Sequence, residues 1–140
     1  MATVGRQTVN CVIRRSSPVT SPKTARHYLA VTLGARDAEF LCILMMDTQS
    51  RVIDFVELFR GTIDGASVHP REVVKLALAK NAASVILVHT HPSGVAEPSR
   101  ADELITTRLK DALGLVDIRT VDHLIVAGGD CVSLAERGLL

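Results

Sequence analysis

Residues Val85 to Asp102 read VILVHTHPSGVAEPSRAD. Four apolar residues, Val85, Ile86, Leu87 and Val88, lead straight into two histidines one residue apart. A short, continuous, β-branched run of this kind fits a strand buried on both faces; a surface helix would show an apolar stripe at three- and four-residue spacing. Pro92, Ser93 and Gly94 end the strand, proline by withholding a donor and glycine by permitting a sharp turn. Pro98-Ser99 then opens a helical pattern. Ser99 at the N-cap with Asp102 three residues on is a variant of the capping box. The stretch thus predicts a core strand, a turn and a helix start, with two imidazoles at the strand's open end.

The flanking elements follow from the same signals. Upstream, Pro70 opens a helix over PREVVKLALAKNAA (Pro70 to Ala83), with Val73, Leu76, Ala77 and Lys80 at helical steps. EFLCILMMD (Glu39 to Asp47) is too apolar and too short for a surface helix and predicts a central strand. RVIDFVELF (Arg51 to Phe59) follows a Thr48-Gln49-Ser50 turn as its hairpin partner. Ser21-Pro22 starts a further helix that carries Ala25, Tyr28, Leu29, Thr32 and Leu33 and stops at Gly34. Downstream, a third helix runs from about Arg100 to about Leu113 and is expected to end at Gly114. IRTVDHLIVA (Ile118 to Ala127), a Gly128-Gly129-Asp130 turn and CVSLAE complete the pattern. Helix, two strands, helix, strand, helix and two strands predict an α/β fold: one mixed β-sheet flanked by about three helices. Residues 1–20 read as an N-terminal arm and residues 21–140 as the domain.

Composition limits the function classes. The chain has 140 residues, 47% of them hydrophobic, which suits one domain with a sizeable core. Aromatics are 3% and tryptophan is absent, so that core is aliphatic. No apolar run approaches the roughly 20 residues of a membrane span. A formal net charge of +1 gives no global attraction to nucleic acid or an anionic membrane. Three scattered cysteines, Cys11, Cys42 and Cys131, form no C-x-x-C pair and read as reduced thiols, which points to a cytoplasmic protein.

The histidine pair carries the chemistry. Residues two apart on a strand share a face, so His89 and His91 present their rings together, with Cα atoms about 6.6 Å apart, while Thr90 faces the other way. Two imidazole nitrogens at that spacing can converge on one metal, with Zn–N near ~2.0 Å. A helix start facing the pair would bring the Asp102 carboxylate in as a third ligand. Two histidines and one aspartate with a position left for water compose a catalytic zinc site rather than a closed structural one. Peptide hydrolysis also needs a group that carries the proton to the leaving amine. Glu39 at the mouth of the first core strand, Glu57 in the second strand and Glu97 in the loop are the candidates. His123, in VDHLIVA, reads as a satisfied sheet histidine.

An upstream Glu followed by His-x-His, seven residues and Ser-x-x-Asp resembles the JAMM motif of the JAB/MPN metalloprotease fold; here it is Glu39, His89-Thr90-His91, Ser99 and Asp102. The stretches VELFRGTIDGASVHPREVVKLALAKNAASVILVHTHPSG and LVDIRTVDHLIVAGGDCVSLAERG are similar to the RadC-like branch, from about Ser21 to the C-terminus. The resemblance implies a JAB/MPN, cytidine-deaminase-like architecture and zinc bound by His89, His91 and Asp102. It further implies Glu39 as general acid/base through the zinc-bound water, and Ser99 as the group that polarises the substrate carbonyl or steadies the oxyanion. The function implied is a zinc-dependent peptidase or isopeptidase acting on a peptide or protein, with ubiquitin-like proteins as one class. Three departures qualify it: Thr90 stands where the branch usually has Asn, larger members carry an N-terminal helix-hairpin-helix region that these residues do not include, and no long ubiquitin-gripping insertion is seen. The second reading is a non-catalytic binding module associated with DNA repair that contacts DNA or a repair or mobile-element protein.

Overall fold

The computed structural model describes residues 38–61 and 68–140. The arm over 1–20, the helix expected over 21–33 and Cys11 lie outside those residues. The described elements are strands β1 (Phe40–Met46) and β2 (Val52–Arg60), helix α1 (Pro70–Ala79), strand β3 (Ser84–Thr90), helix α2 (Arg100–Gly114), and strands β4 (Arg119–Ala127) and β5 (Asp130–Ser133). The strands form one five-stranded sheet in the order β2-β1-β3-β4-β5. β3 and β4 are parallel, joined through α2, and the other neighbours are antiparallel. The expected mixed-sheet α/β fold is present, with two helices among the described residues.

β1 and β3 are buried along their whole length, on both faces. That is why their sequences read as unbroken apolar runs rather than as alternation. On one face Leu41, Ile43 and Met45 of β1 and Val85 and Leu87 of β3 pack with Val73 and Ala77 of α1 and Ile105, Leu109 and Leu113 of α2. Both described helices therefore cover the same face. The opposite face carries Phe40, Cys42, Leu44 and Met46 with Ile86, Val88, Leu124 and Val126, also buried. Cys42 is thus a small core residue, as its apolar surroundings predict.

Two helix ends differ from the sequence reading. α1 stops at Ala79, four residues early, because Asn81 adopts a left-handed conformation (φ 54°) and its amide turns back to Leu78 O. Asn tolerates that region better than most residues. α2 runs through Gly114 rather than ending at it; Asp117 takes the left-handed place (φ 59°), and the Ile118 amide returns to Leu113 O. The β4–β5 hairpin is closed by Gly128 (φ 56°) and Gly129 (φ 91°), the two consecutive positive values that a tight hairpin turn of matching twist requires. A Cβ on Gly128 would also lie 3.4 Å from Gly94 O, so this turn packs against the loop that leaves β3.

Candidate metal centre

Three pieces of the fold meet at the carboxyl end of β3. The β3 strand supplies His89, the residue just after it is His91, the first turn of α2 supplies Asp102, and the residue preceding β1 supplies Glu39. Strand carboxyl ends are where open α/β sheets most often present ligand sites. Pairing of Leu41 with His89 brings the start of β1 beside the end of β3. Glu39 therefore arrives at the histidine pair by sheet register, fifty residues away in sequence.

His89 lies between two carboxylates. Its Nδ1 is 2.6 Å from Asp102 Oδ1 and its Nε2 is 2.9 Å from Glu39 Oε1. Each ring nitrogen of His89 thus faces a carboxylate oxygen. His91 Nδ1 donates to Val95 O at 3.0 Å, which turns its Nε2 toward Asp102 Oδ2 at 3.1 Å. Metal-binding histidines are commonly oriented in this way, by donating the other ring N–H to a backbone carbonyl. The two rings meet edge to face, with centroids 4.7 Å apart.

Asp102 is fully buried and holds both rings. It is also half of the capping box expected from the sequence: Ser99 Oγ accepts from the Asp102 amide at 3.1 Å, and Asp102 Oδ2 accepts from the Ser99 amide at 2.7 Å. Burial pushes this carboxyl up, but hydrogen bonds from His89, His91 and the Ser99 amide outweigh it and hold the group well below the usual carboxylate range. Asp102 is thus an anion at neutral pH. The same bond raises His91 against the opposing effect of burial.

Of the three carboxylates weighed as proton carriers, the structure brings Glu39 to the centre. Glu57 is occupied with Arg60 on β2, at 3.2 Å, and Glu97 is exposed and paired with Arg137. Ser99 is one helical turn from Asp102; its cap bond uses an oxygen lone pair and leaves its O–H as a donor.

The ligand atoms of Glu39, His89 and His91 lie within 4.8 Å of one another, close enough to hold one metal ion. Asp102 contacts both imidazoles directly. Two imidazoles and two carboxylates form a nitrogen–oxygen donor set of the kind zinc takes, so the residues fit a divalent cation. The described residues at this centre include no cysteine.

Two residues lie beneath the centre: Thr106, which no motif marks, and His123, which the sequence predicts to be a satisfied sheet histidine. Thr106, four residues beyond Asp102 on α2, donates to the Asp102 carbonyl and accepts from His123 Nδ1. His123 is completely buried on β4, its ring centroid 6.3 Å from that of His89. It is only half satisfied: its Nε2 has no hydrogen-bond partner, contrary to the expectation of a satisfied sheet histidine. The i, i+4 spacing of Asp102 and Thr106 was the available signal. Burial, with the neighbouring His89 charge, pushes His123 down to about 3. A lowered histidine takes up its proton in the unfolded chain first, so its stability contribution is complete above about 6.5 and falls as pH drops from there toward 3. His91 has the opposite sign: its contribution is present in acid and is lost as pH rises through its raised value. Subtracting urea-unfolding free energies of His123→Gln from those of the parent, between pH 7 and pH 5, should isolate the first effect. The parent should lose roughly 1–2 kcal/mol more than the variant over that interval, at about 1.4 kcal/mol per unit of separation; parallel curves would contradict a neutral His123.

A mixed α/β sheet that gathers two histidines and two carboxylates at one strand end, beside a capped helix, defines a domain with a candidate metal centre. The family described as "RadC-like JAB domain" matches residues 19–139, and the chain belongs to that family. It is 59% identical over 137 residues to a UPF0758 protein of Nitrosococcus oceani, covering 98% of this chain and 61% of that protein. It is 58% identical over 137 residues to one of Thioalkalivibrio sulfidiphilus, covering 98% and 61%, and 57% identical over 128 residues to one of Aeromonas hydrophila, covering 91% and 57%. The chain therefore spans about three-fifths of the length of the curated relatives it matches. No described helix is long and apolar enough to cross a membrane.

Proposed function

We propose that this domain is a zinc-dependent hydrolase of peptide or isopeptide bonds, with zinc held by His89, His91 and Asp102 and with Glu39 as the proton carrier. The observation that carries this reading is Asp102: a fully buried, ionised carboxylate with one oxygen on each imidazole. A ligand benefits from that fixity and charge. Glu39 bonds His89 Nε2, and its side chain is 20% exposed. A proton carrier must reach both solvent and substrate, which suits the more exposed carboxylate.

A zinc ion held here would supply Lewis acidity and would lower the pKa of a bound water to about 7. The chain's own residues do the rest. Glu39 Oε1 would accept a proton from the attacking water as its oxygen bonds the carbonyl carbon, and return it to the nitrogen as the C–N bond breaks. The Ser99 hydroxyl donates toward the substrate carbonyl oxygen as negative charge develops there. His91, tied to Val95 O, and His89, tied to Asp102, stay fixed through the cycle, so little reorganisation accompanies the chemistry.

Membership of the RadC-like JAB family supports the metallohydrolase class. Peptide or protein substrates, including ubiquitin-like proteins, are the corresponding partners. The test is a mass-spectrometric cleavage screen of a mixed peptide and isopeptide library with the zinc-supplemented chain beside His89→Ala. New termini seen only with the parent and removed by a chelator are expected; identical digests from parent and variant would overturn the reading.

A further inference from the structure

We propose that Thr90, the residue between the two histidines, is a positioning residue that fixes Glu39 against His89 through the backbone on both sides of Glu39. This assignment rests on the reading of Glu39 as the proton carrier.

The pairing of β1 with β3 ends at Leu41 and His89. Beyond it the β3 backbone turns to its other neighbour, with the His91 amide bonding Val126 O at 2.8 Å. The start of β1 is therefore held by its ladder with β2, where Phe40 pairs with Arg60, but not by the ladder with β3. The Thr90 side chain takes over. Its Oγ1 accepts from the Phe40 amide at 2.8 Å and donates to Ala38 O at 3.1 Å. From the β2 side, the Gly61 amide donates to Glu39 O at 2.9 Å.

These three bonds have one geometric consequence. Ala38 C=O belongs to the peptide plane before the Glu39 Cα; Glu39 C=O and Phe40 N–H belong to the plane after it. Each residue has only two soft backbone dihedrals, which relate those two planes. One buried hydroxyl grips both planes and, with the Gly61 amide on the second, restricts both dihedrals of Glu39 and so the direction of its Cα–Cβ bond. The carboxylate then reaches His89 Nε2 at 2.9 Å. Because alternate strand residues face opposite ways, Thr90 does this from the face opposite the imidazoles and does not enter the centre itself. A single strand tripeptide thus indexes the histidines and Glu39 to one another.

The experiment compares Thr90→Val, which keeps the shape and removes the hydroxyl, with Thr90→Ser, which keeps the hydroxyl. The readout is the His89 Nε2 nitrogen shift in metal-free protein at fixed pH, observed through the carbon-bound ring protons. Thr90→Val should move that shift to the value found in Glu39→Ala, and Thr90→Ser should leave it at the parent value. A folded Thr90→Val protein with the parent shift would overturn the assignment, as would a Glu39→Ala protein whose shift does not move. Should Val at 90 prevent folding, Thr90→Ala is read in the same way; failure of both to fold would make Thr90 a structural residue and also overturn it. Zinc retention by the parent against His89→Ala, measured alongside, tests the hydrolase reading separately, because the nitrogen shift needs neither metal nor turnover.

Discussion

Asp102→Ala should lose zinc retention and destabilise the metal-free domain by about 3–5 kcal/mol, the range for removing one partner from a buried charged pair. Asp102 is fully buried and accepts from His89 Nδ1, His91 Nε2 and the Ser99 amide. Removing it leaves three donors without an acceptor inside the fold and breaks half of the α2 capping box. Asp102→Asn keeps the volume and one accepting oxygen, so it should lose zinc with a smaller drop in stability. The acid limb provides a second check. A depressed carboxylate contributes stability that is present above its unfolded value near 3.8 and is lost as pH falls toward its folded value. That part of the acid unfolding curve should therefore flatten in both variants. Denaturant titration with zinc analysis measures all of this; an Asp102→Ala protein with parental stability and bound zinc would remove Asp102 from the centre.

Glu39→Gln should keep about one zinc per chain and lose turnover by roughly 100- to 10,000-fold, the contribution typical of a positioned acid–base group. The fold should tolerate the change, because the bonds that pin this residue run through its backbone and its neighbours' backbone rather than its side chain. Glutamine can still accept from His89 Nε2 but cannot carry a proton. This variant separates the two roles open to a carboxylate here, since Glu39 also lies within ligand distance of His89 and His91. Loss of zinc in Glu39→Gln would make Glu39 a ligand. Retention of both zinc and turnover would move the proton-carrying role elsewhere.

The parts of this fold that show in the sequence are those governed by local rules. Buried strands on both sides of the histidines read as unbroken apolar runs because β1 and β3 have no solvent-facing side. The Ser99–Asp102 cap is visible because a capping box is set by a three-residue spacing. The helix ends were read less well: Gly114 is a favourable stop, but Asp117 makes the left-handed turn three residues later. At the site, the histidine pair and Asp102 are close in sequence and could be placed together by strand alternation and helix start. Choosing Glu39 over Glu57 needed register. Pairing of Leu41 with His89 sends Glu39 to the centre, while Glu57 pairs across from Cys42 and bonds Arg60. The contacts of Thr90 with the start of β1 and of His123 with Thr106 are long-range and carry no motif, so only the assembled sheet exposes them.

The most direct test is zinc-edge X-ray absorption on the zinc-loaded chain. The expected spectrum shows two imidazole nitrogens and oxygen neighbours near ~2.0 Å, with the imidazole outer-shell scattering reduced in both His89→Ala and His91→Ala. Sulfur neighbours near ~2.3 Å, or a zinc shell of oxygens alone that neither substitution alters, would contradict a metal centre built on His89, His91 and Asp102.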